Sequence, residues 1–320
     1  LDDLDTMAIF SRTDTLGVKP EDIGTSVGTL GIPEFGTAFV RRMLEEIRPT
    51  TFGELVRISG FSHGTNVWAN NAQDLIKNHI ADAKEAIATR DDIMNALIQM
   101  GMEPSVAFKI MERVRKGKGL SSEDEEAMKA VGTPQWFIDS CHKISYLFPK
   151  AHAVAYVMMA FRIAYFKVHY PLAYYATYFS VRADFDVGLT LLSISELKRL
   201  IAQIEGKGNE ASAKEKGLVT VCELLIEAKV RGGKFLPVNL YESHPSRFLI
   251  KDDALLCPLG GLQGVGASAA LAIAEGRKLG EFTSIEDMRS RTGVSKTVIE
   301  ALREAGALDG IPETGQMSLF

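Results

Sequence analysis

The sequence predicts a mainly α-helical protein: a multi-helical first part, a small α/β connecting part, a tandem of helical hairpins and a flexible C-terminal peptide. Apolar residues recur at helical spacing through most of the 320 residues. Only two short segments, 247–251 and 254–258, have a strand-like composition. After residue 310 the chain has no helical period. These three observations set the fold class.

Glycine, proline and acidic residues divide the helical pattern into separate helices. Two segments that contain glycine, 29–36 and 59–66, are predicted to be loops. Helices are expected at 37–47, 91–100, 104–114, from 123 onward, 136–146, 153–179 and 194–217, with short helices after 259.

The composition excludes several classes of protein. Hydrophobic residues make up 46% and charged residues 24%, which rules out a disordered chain. A net charge of −5 rules out a uniformly basic nucleic-acid binder, but not a local basic groove. No stretch reaches the roughly 20 apolar residues of a membrane span, so no membrane partner is expected. The chain opens on an acidic segment without Met, which we interpret as a cut within a longer polypeptide.

The three cysteines favour a reducing compartment. They are Cys141, Cys222 and Cys257, an odd number of residues spaced far apart. This pattern predicts neither a disulfide framework nor a zinc knuckle. A cytoplasmic location is therefore expected.

The window 140–183 contains no Asp or Glu and carries a local charge of +5. It also holds three of the six histidines and seven of the eight tyrosines. Within it, His152, Tyr156 and Met159 share one helical stripe. Basic side chains interleaved with aromatic ones suit phosphate neutralisation and stacking on a base or sugar. The alternative is an amphipathic helix with a tyrosine core and a solvated basic face.

A second basic cluster lies at the end of the 104–114 helix. It comprises Arg113, Arg115, Lys116 and Lys118, with glycines at 117 and 119 that allow close approach of the backbone. The cluster suits a polyphosphate or nucleic acid. The alternative is a solvated helix end whose cations offset the helix dipole.

Two segments near the C-terminus have the pattern of a helix-hairpin-helix. The first, 259–273, has the tight turn Gly264-Val265-Gly266, whose N–H groups can bind a backbone phosphate. The second, 292–302, is a weaker copy and contains Gly293 and Lys296. Residues 251–310 have a net charge of −2, so any grip on DNA here is expected through the backbone. The alternative is a hairpin that packs and binds nothing.

The last five residues suit an extended peptide that docks in a partner's pocket, although a frayed tail is the alternative. They are Gln316, Met317, Ser318, Leu319 and Phe320. The sequence offers no Walker loop, no catalytic Asp-x-Asp strand, no Ser–His–Asp group and no metal cluster. The chain is therefore predicted to hold no metal.

Five strings together resemble the C-terminal part of the bacterial replicative DNA polymerase III α subunits, of the C family and the PolC type. They are the segments 28–37, 58–65, 108–120 and 148–156 (Phe-Pro-Lys-Ala-His-Ala-Val-Ala-Tyr), and the terminal Gln-Met-Ser-Leu-Phe. The similarity extends over essentially the whole chain. It implies polymerase fingers at 1–190 and a connecting part of the fingers at 191–250. A tandem helix-hairpin-helix that grips duplex DNA at 251–311 and a sliding-clamp-binding tail at 312–320 would follow.

The same resemblance implies a DNA-directed DNA polymerase, a nucleotidyltransferase that uses two metal ions. Its palm, with the aspartates that bind Mg²⁺, would lie upstream of Leu1, together with the PHP and proofreading exonuclease modules. The partners implied are primer–template DNA, a deoxynucleoside triphosphate (dNTP) and the β sliding clamp. The fragment alone is expected to be inactive.

Within this frame the chemistry of the side chains suggests individual roles. We expect phosphate contacts from Arg113, Arg115, Lys116, Lys118 and Lys150, and contacts to the base or sugar from His152 and Tyr156. Ser59, Ser62 and His63 are expected to line a loop near the base pair. DNA contacts are expected from Lys143, Arg162, Lys167, Gly264, Val265, Gly266, Gly293 and Lys296.

Two other functions fit part of the pattern. One is a stand-alone, non-catalytic helix-hairpin-helix module that binds DNA and the clamp. The other is a helix-hairpin-helix repair protein, which predicts no effect of the 108–156 region on nucleotide affinity.

Overall fold

The computed structural model describes residues 1–181 and 186–315. Cα packing divides the chain into two compact units. The first unit contains 1–15 and 25–165, and the second contains 16–24 and the described residues after 165. This division differs from the expected boundary at 190.

The mainly α fold class is confirmed. The α-helices of the described ranges are, in chain order, α1 (Leu4–Ala8), α2 (Pro20–Ile23), α3 (Ala38–Ile47), α4 (Phe52–His63), α5 (Gln73–Lys77), α6 (Arg90–Gln99), α7 (Pro104–Arg115), α8 (Ser122–Ala130), α9 (Gln135–Lys143), α10 (Lys150–His169), α11 (Pro171–Val181), α12 (Ile194–Gly206), α13 (Ala213–Val230), α14 (Ala267–Gly276), α15 (Ile285–Thr292) and α16 (Lys296–Glu304).

Side-chain caps begin several of these helices where the sequence places a Ser or Thr. Thr37 precedes α3, and its hydroxyl accepts the N–H of Val40. Ser121 begins α8 in a capping box with Asp124. Each such cap satisfies a backbone donor that the helix itself leaves unpaired.

The segment 59–63 is the last part of α4, so the prediction of a loop there is wrong. A capping box between Thr51 and Glu54 starts this helix. Gly60 does not mark a turn. A Cβ at this position would lie 2.5 Å from the carbonyl oxygen of Ala88, so glycine permits the close packing of α4 against that backbone.

The long helix expected at 153–179 is two helices. Tyr170 separates α10 from α11, because Pro171 cannot donate to the preceding turn and instead occupies the first position of a new helix. Residues 150–165 of α10 belong to the first unit, and residues 166–169 belong to the second.

A three-stranded sheet lies in the second unit, formed by β1 (Lys234–Leu236), β2 (Leu249–Lys251) and β3 (Ala254–Leu256). The central strand is β3, which pairs parallel with β1 and antiparallel with β2. The two predicted strands are confirmed, whereas β1 was not predicted. Asp252 and Asp253 both have positive φ, which is typical of a two-residue hairpin turn.

The three cysteines are buried and free. Burial raises the pKa of the thiols, to about 11 for Cys222 and Cys257. Among the helices of the described ranges, none combines the length and the apolar character that crossing a bilayer requires.

Candidate functional site

The segment 144–150 connects parts of the first unit that are distant in sequence. Gly117, in the second basic cluster, approaches it so closely that a Cβ there would lie 2.5 Å from the carbonyl oxygen of Ser145. Thr65, just after α4, donates its N–H to the carbonyl oxygen of Tyr146 at 3.0 Å. Two of the predicted site regions therefore contact this one segment.

The same segment also contacts the start of α6. Thr89 forms an isolated bridge with Phe148, and Arg90 donates its N–H to the Phe148 carbonyl at 3.2 Å. Lys150 donates its N–H to a carboxylate oxygen of Asp91 at 2.8 Å. This contact caps the first turn of α10, where a side-chain acceptor is most useful.

Four rings form a continuous row, here called the aromatic row: His63, Phe148, His152 and Tyr156. His63 stacks on Phe148 with a centroid separation of 4.9 Å. The edge contact between Phe148 and His152 is at 5.1 Å, and His152 lies 4.6 Å from Tyr156. The stripe predicted for His152 and Tyr156 on α10 is thus continued by two rings from other segments. Tyr156, at the far end, is 46% exposed.

His63 is held at both ring nitrogens. Its Nδ1 lies 2.8 Å from the carbonyl oxygen of Ser59 and 3.0 Å from the hydroxyl of Ser62. Its Nε2 lies 2.9 Å from the carboxylate of Glu34. The Ser59 hydroxyl is buried and has no hydrogen-bond partner among the described residues. Ser59, Ser62 and His63, which were expected near the base pair, therefore lie together, but on the helix α4 rather than in a loop.

Lys150 faces a cluster of charge at the start of α6. Its Nζ lies 3.8 Å from Asp92, and its side chain is 46% exposed. Asp92 also accepts the N–H groups of Ala88 and Thr89 and contacts the Arg57 guanidinium at 3.3 Å. Four groups thus contact the Asp92 carboxylate, and the Lys150 ammonium is the most distant of them.

A cleft of about 390 Å³ opens beside Lys150. Arg57, Lys84 and Glu54 also line it. Burial would raise the pKa of Glu54, but hydrogen bonds from the N–H and hydroxyl groups of Thr50 and Thr51 lower it overall. The cleft therefore carries three cations and one carboxylate.

The second basic cluster is largely paired. Arg113 contacts Asp124 at 2.9 Å. Arg115 and Lys116 both bind Glu112, and their hydrogen bonds, Arg115 first, lower the pKa of that carboxyl to about 2. Lys118 is exposed, and its side chain makes no hydrogen bond or ion pair within the part of the chain that the structure describes. Only one of the four predicted phosphate contacts is therefore free of a carboxylate.

The prediction that Lys167 contacts DNA is wrong. Its ammonium is fully buried and lies 2.9 Å from a carboxylate oxygen of Glu227, which is equally buried. Burying both charges is tolerated because they pair, and Tyr175 adds a hydrogen bond to Glu227 at 2.6 Å. Lys143 and Arg162 are exposed, and Lys143 donates to the carbonyl oxygen of Asn70 at 2.8 Å.

The turn of the first hairpin differs in part from the expected one. Gly264 has a positive φ of 91°, whereas Gly266 has an ordinary φ of −72° and immediately precedes α14. Val265 is 3% exposed, so its side chain belongs to the core. Gly266 has no side chain, so α14 begins without a side-chain cap hydrogen bond from its N-cap residue.

The second hairpin has two full helices, although its sequence is the weaker copy. Gly293 ends α15 with φ 66°, and Ser295 caps α16 by accepting the N–H of Val298. Lys296 is exposed and lies 3.8 Å from Glu300. The first hairpin has only a short 3₁₀ turn at 259–261 before α14. Gly261 in this turn packs closely, since a Cβ there would lie 2.3 Å from the Val187 side chain.

Sequence reasoning missed four residues that position this site: Glu34, Arg90, Asp91 and Asp92. Asp92 carried a signal, since an acidic residue three positions after Thr89 is typical of a capping box. Glu34 carried none beyond its place in a loop. The five residues of the expected tail, 316–320, lie outside the described residues.

Two family models match separate regions of the chain. The family model of the bacterial DNA polymerase III alpha subunit finger domain matches residues 1–133. The model of the helix-hairpin-helix motif matches residues 232–316.

Curated relatives match over the whole chain. It is 60% identical to the DNA polymerase III PolC-type of Caldanaerobacter subterraneus, 54% to that of Bacillus subtilis and 53% to that of Listeria monocytogenes. In each case 100% of this chain is covered, but only 22–23% of the relative. The chain thus spans less than a quarter of the length of these relatives.

Proposed function

The chain belongs to the family of PolC-type bacterial DNA polymerase III, and on that premise we propose that its first unit forms the nucleotide-binding fingers of a replicative DNA polymerase. One observation carries this proposal. The segment 144–150 joins Lys150 and the aromatic row to the turn that follows the cations of α7. Cations for a triphosphate and rings for a base or sugar therefore surround one short segment.

Lys150 is the best candidate for a phosphate contact. Its ammonium is half-exposed, and its 3.8 Å separation from Asp92 is long for an ion pair. A triphosphate, with a higher charge than a carboxylate, would compete well for it. Lys118 is free to join, whereas Arg113, Arg115 and Lys116 would first have to leave their carboxylates. Positive charge at this position stabilises the charge that builds on the phosphates during transfer.

The aromatic row would contact the base or sugar of the dNTP. Its exposed end at Tyr156 offers an aromatic face, and base–aromatic stacking contributes about 1–3 kcal/mol per base. Phe148, which is half-buried, and His63 at the opposite, exposed end of the row would fix the position of that face. A correct base pair would allow the fingers to close on it, and a wrong pair would not.

Nucleotidyl transfer by such an enzyme uses Mg²⁺ bound by the palm, which polarises the phosphate attacked by the primer 3′-hydroxyl. The described residues contain no cluster of carboxylates, histidines or cysteines suited to a metal. On the strength of the family resemblance, the carboxylates that hold Mg²⁺ are proposed to lie in the rest of the polypeptide, with the PHP and exonuclease modules. This chain would bind and orient the nucleotide.

The hairpins are proposed to grip the duplex behind the active site. The uncapped N–H groups that begin α14 suit a DNA phosphate without any basic side chain, while Lys296 adds a charge beside α16. The peptide 316–320 is proposed to tether the β sliding clamp, on the strength of its sequence alone. The whole protein is proposed to act in the cytoplasm.

Reconstitution tests this function directly. The purified chain should incorporate no nucleotide, and adding the remaining polypeptide, with its palm, should restore incorporation on a primer–template. Persistent inactivity of a well-folded pair that binds DNA would instead favour a stand-alone helix-hairpin-helix module. Deleting 316–320 should weaken clamp binding but leave single-nucleotide insertion unchanged.

A further inference from the structure

The loop at 28–37 contains one residue in an unusual conformation. Glu34 has a φ of 68°, in the left-handed region that side-chain-bearing residues rarely adopt. Strain of this kind persists only where the surrounding structure imposes it, and it concentrates at functional sites.

The loop is rigid enough to impose that conformation. The Thr29 hydroxyl donates to the carbonyl oxygen of Phe35 at 2.8 Å. Gly36 packs so closely that a Cβ would lie 2.9 Å from the carbonyl oxygen of Ile32, and Arg41 donates to the Gly36 carbonyl at 2.8 Å. These contacts on both sides fix the backbone of Glu34.

The fixed backbone directs the Glu34 carboxylate to His63, whose Nε2 lies 2.9 Å away. The other ring nitrogen contacts the carbonyl oxygen of Ser59 at 2.8 Å, so both edges of the imidazole are held. In this orientation the ring lies nearly parallel to Phe148, at an interplanar angle of 26°. The geometry of the aromatic row thus depends on a contact from the loop.

We infer that Glu34 is a positioning residue: it orients His63, and through His63 and Phe148 it fixes the face that the aromatic row presents to the nucleotide. This inference rests on the proposed function of the aromatic row. The inference also assigns a role to the loop at 28–37: its internal contacts hold Glu34 at a positive φ and thereby fix the position of the carboxylate. Losing the carboxylate would loosen nucleotide binding without touching the phosphate contacts.

The test uses the full-length polymerase and three variants, Glu34→Ala, Glu34→Gln and Glu34→Gly. Glycine accepts a φ of 68° without strain, so Glu34→Gly should melt no lower than the parent protein. It should nevertheless raise the KM for dNTP about fivefold, as Glu34→Ala does, with the affinity for primer–template unchanged. Glu34→Gln should restore the KM to within about twofold, because its amide oxygen accepts from Nε2. The control is Glu46→Ala, which removes an exposed carboxylate bonded to Gln73.

A double variant separates positioning from a general structural effect. Glu34→Ala should add nothing to the KM of His63→Ala, because both act through one ring. Additive effects, an unchanged KM in Glu34→Gly, or a Gln variant no better than Ala would each overturn the inference. Phe148→Ala distinguishes a failure of the proposed nucleotide site from a failure of the role inferred for Glu34. If it leaves the KM unchanged, the nucleotide site itself fails; if it raises the KM while Glu34→Gly does not, only the role of Glu34 fails.

Discussion

The two ends of α10 use the same residue type in opposite ways. At its start, Lys150 is 46% exposed and lies 3.8 Å from its nearest carboxylate, Asp92. Near its end, Lys167 is fully buried, lies 2.9 Å from Glu227 and is 5.6 Å from the centre of the Tyr174 ring. One lysine is placed to exchange partners, and the other is fixed in the core.

The difference shows that local charge does not decide what a cation does. Both lysines lie in the same acid-free window of the sequence. Their carboxylate partners come from other helices, Asp92 on α6 and Glu227 on α13. A lysine can bind a ligand only where its distance to a partner carboxylate is long and its side chain reaches solvent. The predictions below test this contrast, beginning with the largest effect.

Breaking the buried pair should have the largest effect on stability. Lys167→Ala leaves Glu227 buried without its ion-pair partner and should lower the free energy of unfolding by about 3–5 kcal/mol. Urea denaturation of the purified chain, followed by circular dichroism, measures this loss. The double variant Lys167→Met/Glu227→Leu should cost less than either single change. Equal or larger loss in the double variant would contradict the view that unpaired charge is the cause.

Alkaline pH should destabilise the same end of the helix. Burial, and then the charge of Glu227, raises the pKa of Tyr174 and Tyr175 well above 10. A raised pKa favours the folded state below pH 10, and this advantage is lost as the pH rises, because the unfolded chain releases its phenol protons first. Above pH 10 each tyrosine should contribute a loss of about 1.4 kcal/mol per pH unit. Absorbance at 295 nm should show these two tyrosines ionising only on unfolding; their titration in the folded chain would contradict this.

Removing the cap at the other end of α10 should have a moderate effect. Asp91→Ala deletes the acceptor for the Lys150 N–H and should cost about 1 kcal/mol of stability. The KM for dNTP of the full-length polymerase should also rise, because the first turn of α10 carries Lys150 and His152. Asp91→Asn, which keeps an acceptor oxygen, is the matched control and should lose less than half as much.

Removing a cation from the middle of α10 should have the smallest effect. Arg162 is exposed, so Arg162→Ala should change stability by less than about 0.5 kcal/mol. If it contacts a DNA phosphate as proposed, the salt dependence of primer–template binding should lose about one unit of slope. An unchanged slope would remove Arg162 from the proposed DNA contacts.

Sequence reasoning recovered the elements that local chemistry specifies. The periodicity of apolar residues located α3, α6 and α7, and the start of α8 followed from its acidic first turn. It failed where packing overrides local signals. The glycine at position 60 indicated a loop, yet it serves the close contact of α4 with Ala88. Such contacts are made by residues distant in the chain, and no local pattern reveals them.

The site was predictable in part for the same reason. Basic and aromatic composition indicated Lys150, His152 and Tyr156, which do lie together at the start of α10. The pairing of Glu112 with Arg115 and Lys116 was missed although it was predictable, since the three residues have i,i+3 and i,i+4 spacing on one helix. Composition could not reveal that Glu34, in the loop at 28–37, contacts His63 at the end of α4, since that contact joins residues distant in the chain and involves a positive φ at Glu34.

The role proposed for Lys150 can be measured by the dNTP concentration dependence of single-turnover incorporation by full-length polymerase carrying Lys150→Ala. The matched control is Lys129→Ala, which removes a half-exposed lysine whose carboxylate partner, Glu125, lies one turn away on its own helix. Lys150→Ala should weaken apparent dNTP binding about tenfold, or about 1.4 kcal/mol, while primer–template affinity and the control variant stay unchanged. If incorporation by the Lys150→Ala variant saturates at the same dNTP concentration as incorporation by the parent enzyme, the proposed phosphate contact is wrong.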